Sequence, residues 1–175
     1  RGYMVIQPNF RGSTGYGRAF QLANVGDLGG GDLKDTLAAR DFLVATGYVD
    51  PNRVGITGGS YGGYMTLMAI GRAPTAFAAA VQQFGIINWF TMYETSDPQL
   101  QQYLIALLGD PVKDKVRYEA SSPLTYIRQA KAPLLSLQGE NDIRVPRGQA
   151  QEVADLLAAR GNKVETIFYP AEGHG

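Results

Sequence analysis

The chain has no cysteine, which excludes disulfide bonds, thiolate zinc sites, iron–sulfur clusters and a thiol nucleophile. It has one histidine, His174, so any histidine-dependent chemistry within it has a single candidate. It has no excess charge: sixteen basic side chains face sixteen acidic ones, which leaves no broad electrostatic surface for nucleic acid or an anionic membrane. Apolar runs are too short and interrupted for a membrane span or a signal-peptide core. Internal repeats and low-complexity tracts are missing too. No Gly-Lys-Ser/Thr marks a Walker A loop, and Gly59, Gly62 and Gly63 lack the G-x-G-x-x-G spacing of a dinucleotide fingerprint.

What is present suffices for one globular domain: 175 residues, 45% of them hydrophobic. Strand patterns fall at residues 3–7, 53–57, 77–84, 133–137 and 164–169. Between them lie helical patterns. One follows Asp32 as cap, with Leu33, Leu37, Ala38 and Phe42 on its apolar side; another opens at Tyr64; a third spans 148–160 with Ala150, Val153, Ala154 and Leu157 on one side. Residues 9–17 form a glycine-spaced loop, and residues 85–108 read as a partly helical excursion over the sheet end. Alternating strands and helices of this length predict an α/β fold with an open, mostly parallel sheet flanked by helices. Both termini are abrupt, so residues 1–175 are expected to be a partial domain, truncated at both ends.

Gly58-Gly59-Ser60-Tyr61-Gly62 fits the G-x-S-x-G pattern and sits between a β-branched strand and a helix, the context that pattern requires. A serine at the tip of so tight a turn needs unusual backbone angles and small neighbours, which Gly58 and Gly62 supply. Such a turn exposes the hydroxyl. It also frees the backbone N–H of Tyr61 as an oxyanion donor at a helix N-terminus, where developing negative charge is favoured.

A serine hydroxyl needs a base to take its proton, and His174 in Glu172-Gly173-His174-Gly175 is the one available. The acid that orients it should follow a late strand and precede it in sequence. Gln138-Gly139-Glu140-Asn141-Asp142 offers two carboxylates, with Asp142 preferred and Glu140 as the fallback. An aspartate there would fix the imidazole tautomer and stabilise imidazolium during proton transfer.

Together, Gly58-Gly59-Ser60-Tyr61-Gly62-Gly63-Tyr64, Gly139-Glu140-Asn141-Asp142-Ile143-Arg144-Val145-Pro146 and Glu172-Gly173-His174-Gly175 resemble the prolyl oligopeptidase family of serine peptidases. The likeness is to its acylaminoacyl-peptidase and dipeptidyl-peptidase-like branch. Residues 9–17 and 47–54 also resemble family segments, so the similarity covers essentially the whole chain. The resemblance implies an α/β-hydrolase fold in which Ser60 is acylated, His174 moves the proton and Asp142 supports it. It further implies that Arg144 contacts a substrate carbonyl, and that Phe84, Trp89, Phe90 and Tyr93 belong to the stretch forming the apolar pocket before the scissile bond. Short peptides are the implied substrates, with no metal or organic cofactor and with a β-propeller as the family's usual size filter. Family members complete the oxyanion hole from an upstream loop, and commonly carry a histidine where this chain has Gln138. An esterase of the same fold, or a noncatalytic binding domain retaining it, are the alternatives that the residues leave open. Peptide specificity and oligomeric state are not legible.

Overall fold

The computed structural model describes residues 2–175. The early glycine loop holds a single helical turn, α1 (Arg18–Gln21), and α2 spans Gly31–Ala45. The phase of α2 differs from expectation: Leu33 and Leu43 are buried, Leu37 and Val44 pack on the core, and Phe42 is exposed. Asp32 does not cap it. Gly30 occupies the N-cap, while Asp27 accepts from the Gly31 N–H at 2.8 Å.

Four parallel strands follow, β1 (Gly55–Gly59), β2 (Ala79–Gln83), β3 (Leu134–Gly139) and β4 (Val164–Tyr169), in the spatial order β1-β2-β3-β4. Parallel pairing demands crossovers. These are α3 (Tyr61–Arg72) between β1 and β2, and α7 (Arg147–Ala159) between β3 and β4. The excursion from β2 to β3 contains α4 (Trp89–Thr95), α5 (Pro98–Leu108) and α6 (Lys115–Ser121). Asn88 and Asp97 cap α4 and α5 by accepting backbone N–H bonds in their first turns.

Helix α3 is buried along almost its whole length because two cores share it. One face joins Tyr64, Met65 and Met68 to Leu33, Trp89, Leu104 and Tyr118; the other joins Leu67 and Ile70 to Ala80, Leu134, Val153 and Leu157. Each fully buried aliphatic side chain there contributes roughly 1.5–3 kcal/mol. The elbow therefore stands on the most extensively buried helix among the described residues.

The strand expected at residues 3–7 is not in the sheet. A strand needs a neighbour for its ladder, and among the described residues none pairs with this segment. Instead it and the outer edge of β1 line one cleft of about 1140 Å³, with Tyr3 and Val5 largely exposed. No helix among the described residues is long and apolar enough to cross a membrane.

Candidate active site

Strand β1 ends in Gly58-Gly59, and Ser60 takes φ 55° and ψ −115° before α3 begins at Tyr61. That left-handed conformation is costly for a residue with a Cβ. It is held by the Ser60 N–H donating to the Gln83 carbonyl at 3.0 Å and by the Ser60 carbonyl accepting from Tyr64 at 2.9 Å. The turn is compact because Gly58 has no side chain: a Cβ there would lie 2.5 Å from the backbone of Gly62. Gly62 was expected to be small for the same reason, yet its own Cβ would meet nothing within 4 Å. The second enforced glycine is Gly63, whose Cβ would stand 2.6 Å from the Gln83 carbonyl.

The general-base candidate arrives from the far edge of the sheet. After β4, Ala171 turns the chain with φ 64°, and the Glu172 carbonyl accepts from Asn141 at 2.9 Å. This loop lies so close to the end of β3 that a Cβ on Gly139 would sit 2.4 Å from the Gly173 carbonyl. Glycine at 139 thus lets the histidine loop approach the acid loop.

The result is a continuous chain of polar contacts. His174 Nε2 lies 3.0 Å from Ser60 Oγ, and His174 Nδ1 lies 2.8 Å from Asp142 Oδ2. With the carboxylate accepting from Nδ1–H, the Nε2 lone pair faces the serine hydroxyl. Asp142 is 5% exposed, and its other oxygen accepts from the Arg144 and Val145 N–H groups at 2.9 Å each. Glu140, the fallback acid, is exposed and pairs with Arg147 at 3.8 Å instead.

Gln138, on β3, adds a third kind of contact that the sequence did not announce. Its buried Nε2 donates toward Asp142 Oδ2 at 3.3 Å and to the carbonyls of Gly139 and Val145 at 3.1 and 3.0 Å. The signal available in the sequence was only its position before Gly139.

The aromatic residues divide. Phe84 touches His174, edge to face, with ring centroids 4.7 Å apart. Trp89 is 3% exposed, its indole N–H donates to the Ser121 carbonyl at 3.0 Å, and its ring belongs to the buried core. Phe90 packs on Tyr118 at 5.2 Å and Tyr93 is half-buried. Arg144 is exposed, and its guanidinium takes part in no ion pair among the described residues. The Tyr61 N–H donates to no acceptor among the described residues, while the Tyr61 hydroxyl donates to Asp32. Burial pushes the Tyr61 phenol well above its ordinary range, reinforced by the Asp32 charge.

Residues 1–175 match the prolyl oligopeptidase family. The dipeptidyl aminopeptidase BIII of Pseudoxanthomonas mexicana is 38% identical over 180 residues, covering 100% of this chain and 26% of that protein. Among solved structures, a puromycin-hydrolyzing peptidase of Mycobacterium tuberculosis superposes with a TM-score of 0.91 at 38% identity, over 95% of this chain and 25% of that one. The uncomplexed acylaminoacyl peptidase of Pyrococcus horikoshii gives a TM-score of 0.89 at 34% identity, over 95% and 27%. The fold is that of the α/β-hydrolases, and the chain spans about a quarter of the length of the curated relatives it matches.

Proposed function

Because the chain belongs to the prolyl oligopeptidase family, we propose that residues 1–175 carry the nucleophile, base and acid of a serine peptidase acting on short peptides. The observation that carries this reading is the relay from Asp142 Oδ2 through the two nitrogens of His174 to Ser60 Oγ, at 2.8 and 3.0 Å. In that arrangement Ser60 Oγ attacks the substrate carbonyl while its proton passes to Nε2, and Asp142 stabilises the resulting imidazolium. The imidazolium then returns the proton to the departing amine, leaving an acyl-serine. Water then attacks the acyl carbonyl as it gives a proton to His174, which passes that proton to Ser60 Oγ as the acid leaves.

Negative charge on the carbonyl oxygen is met by the Tyr61 N–H at the start of α3, which has no competing acceptor among the described residues. Arg144 is free to reach a second carbonyl of the peptide, and Phe84 with Phe90 and Tyr93 supplies apolar surface next to the scissile bond. Peptides as substrates are supported by the related proteins: the three similar ones are named as a dipeptidyl aminopeptidase, a puromycin-hydrolyzing peptidase and an acylaminoacyl peptidase. In a polypeptide of the relatives' length, the remainder has room for a β-propeller that would admit only short peptides.

The test uses the full-length protein. A fluorophosphonate probe should label it stoichiometrically, and Ser60→Ala should abolish labelling, whereas replacing a distant serine should not. Turnover of short aminoacyl amides should accompany labelling. Labelling with hydrolysis of simple esters alone would transfer the assignment to an esterase, and no labelling of the folded protein would end the enzymatic reading.

A further inference from the structure

Asp32 is completely buried, yet it forms no ion pair among the described residues and does not cap the helix that contains it. A buried carboxylate without a cationic partner carries a desolvation penalty, and burial indeed pushes Asp32 above the usual carboxylate range. Its surroundings explain how it is tolerated. It lies in the first turn of the fifteen-residue α2, whose N-terminal dipole favours an anion. One oxygen accepts from the Leu33 N–H at 2.8 Å, and the other accepts from the Tyr61 hydroxyl.

Tyr61 is the residue immediately after the nucleophile. Its ring is wedged between Phe10 and Tyr64, at centroid distances of 5.8 and 5.0 Å. Asn24 points its amide at the same phenol oxygen from 3.5 Å. Asn24 packs directly on Gly12, where a Cβ would fall 2.3 Å from its amide nitrogen. Side-chain contacts from the loop before α2 and from α2 itself therefore converge on one end of Tyr61, while its other end presents the N–H beside Ser60.

We propose that Asp32 is a positioning residue for the Ser60 elbow: by accepting from the Tyr61 hydroxyl it fixes the residue whose backbone N–H faces the developing oxyanion. This rests on the serine-hydrolase reading above and adds a role to it. A phenol-to-carboxylate bond is charge-assisted and stronger than a neutral one. The contact thus contributes to the transition state without touching the substrate. Its loss should appear in kcat and leave KM nearly unchanged.

The experiment is a double-mutant cycle in the full-length protein with Tyr61→Phe and Asp32→Leu, together with Asp32→Asn as the conservative variant. Each disruptive single change is expected to lower kcat by about tenfold or more, less than the loss of an entire oxyanion donor, with KM within about twofold. The double variant should be no slower than the worse single one, because both remove the same bond. Asp32→Asn keeps an acceptor oxygen for the phenol and should recover most of kcat. Inhibition by a peptide aldehyde, whose adduct with Ser60 places an oxyanion at this point, should weaken in parallel with kcat, while peptide binding to Ser60→Ala should not respond to either change. Tyr61→Phe preserves the ring packing, so the inference stays testable if Asp32→Leu fails to fold. Unchanged kcat in folded Tyr61→Phe, or additive losses in the double variant, would overturn it. A wild-type protein that neither labels with fluorophosphonate nor turns over would instead overturn the hydrolase reading, and this inference with it.

Discussion

Phe84 meets the imidazole of His174 edge-on, with ring planes at 61°, from a backbone held at φ 38°. A bulky residue in that region carries about 1–3 kcal/mol of strain. The strain is sustained by the Phe84 N–H donating to the Leu137 carbonyl at 2.8 Å and by the ring covering Gly59, where a Cβ would come within 2.9 Å of it. Phe84 is thus both a wall for the imidazole and a reason for glycine at 59. Phe84→Ala is expected to lower kcat/KM about tenfold by freeing His174 to leave its near-attack position. Phe84→Gly should lose the same activity but be more stable than the alanine variant by about 1 kcal/mol, since glycine relieves the left-handed backbone. Urea denaturation of the two, alongside their kinetics, separates the ring from the strain.

The glycines around the nucleophile are not equivalent. A Cβ on Gly63 would meet the Gln83 carbonyl at 2.6 Å and the Gly85 Cα at 2.8 Å, both backbone atoms that cannot swing aside. Gly63→Ala is therefore expected to destabilise the fold by about 3 kcal/mol. Gly62 lies in the first turn of α3 with open space where its Cβ would be. Gly62→Ala should leave stability unchanged or raise it by up to about 1 kcal/mol through helix propensity. Thermal melts of the two variants of this chain should move in opposite directions, or at least by very unequal amounts.

This contrast shows how far local pattern reaches. The elbow, the acid loop and the histidine loop were legible because each is a short stretch whose residue types are dictated by chemistry and backbone geometry. Contacts from distant segments were not. Asp32 before an apolar run reads as a helix cap, and only the tertiary arrangement gives its carboxylate to Tyr61. The strand pattern at residues 3–7 is genuine in composition, but a strand also requires a partner, which a one-dimensional pattern does not contain. Phe42 and Leu43 differ by one step of helix phase, and only the folded arrangement shows that Leu43 is the buried one. An aromatic cluster in sequence does not say which ring is buried, and only the fold gives the Trp89 indole N–H the Ser121 carbonyl.

The buried Asp32 also makes stability depend on pH with an unusual sign. Desolvation raises its folded-state pKa, and the donations from Tyr61 and Leu33 only partly oppose this. The folded protein therefore holds this proton more tightly than the unfolded chain does. The group's contribution is fully present below the ordinary aspartate range and is lost as pH rises through the raised folded value. Asp32→Asn removes that titration while keeping an acceptor for the phenol. Its stability relative to wild type, from denaturant midpoints between pH 3 and 7, should grow as pH increases. A flat difference over that range would mean that Asp32 ionises as easily in the folded state as in the unfolded one.

Gln138 offers the sharpest separation of charge from shape. It is 1% exposed, and its Nε2 faces three acceptors while its Oε1 meets no donor among the described residues. Flipping the amide would set oxygen against Asp142 and two carbonyls, so the observed orientation is enforced by its neighbours. The unpaired oxygen is the lesser penalty. Gln138→Glu keeps the shape but replaces the donor with an acceptor beside Asp142, which should cost about 3 kcal/mol of stability at neutral pH and most of the activity. Because the new carboxyl is buried against another, it should take up a proton as pH falls, and the stability deficit should shrink between pH 7 and 4. Gln138→His can still donate an N–H toward the carboxylate and should retain more activity than Gln138→Glu or Gln138→Leu. Equal activity for the leucine and histidine variants would show that the Asp142 contact at 3.3 Å does not help to orient the acid.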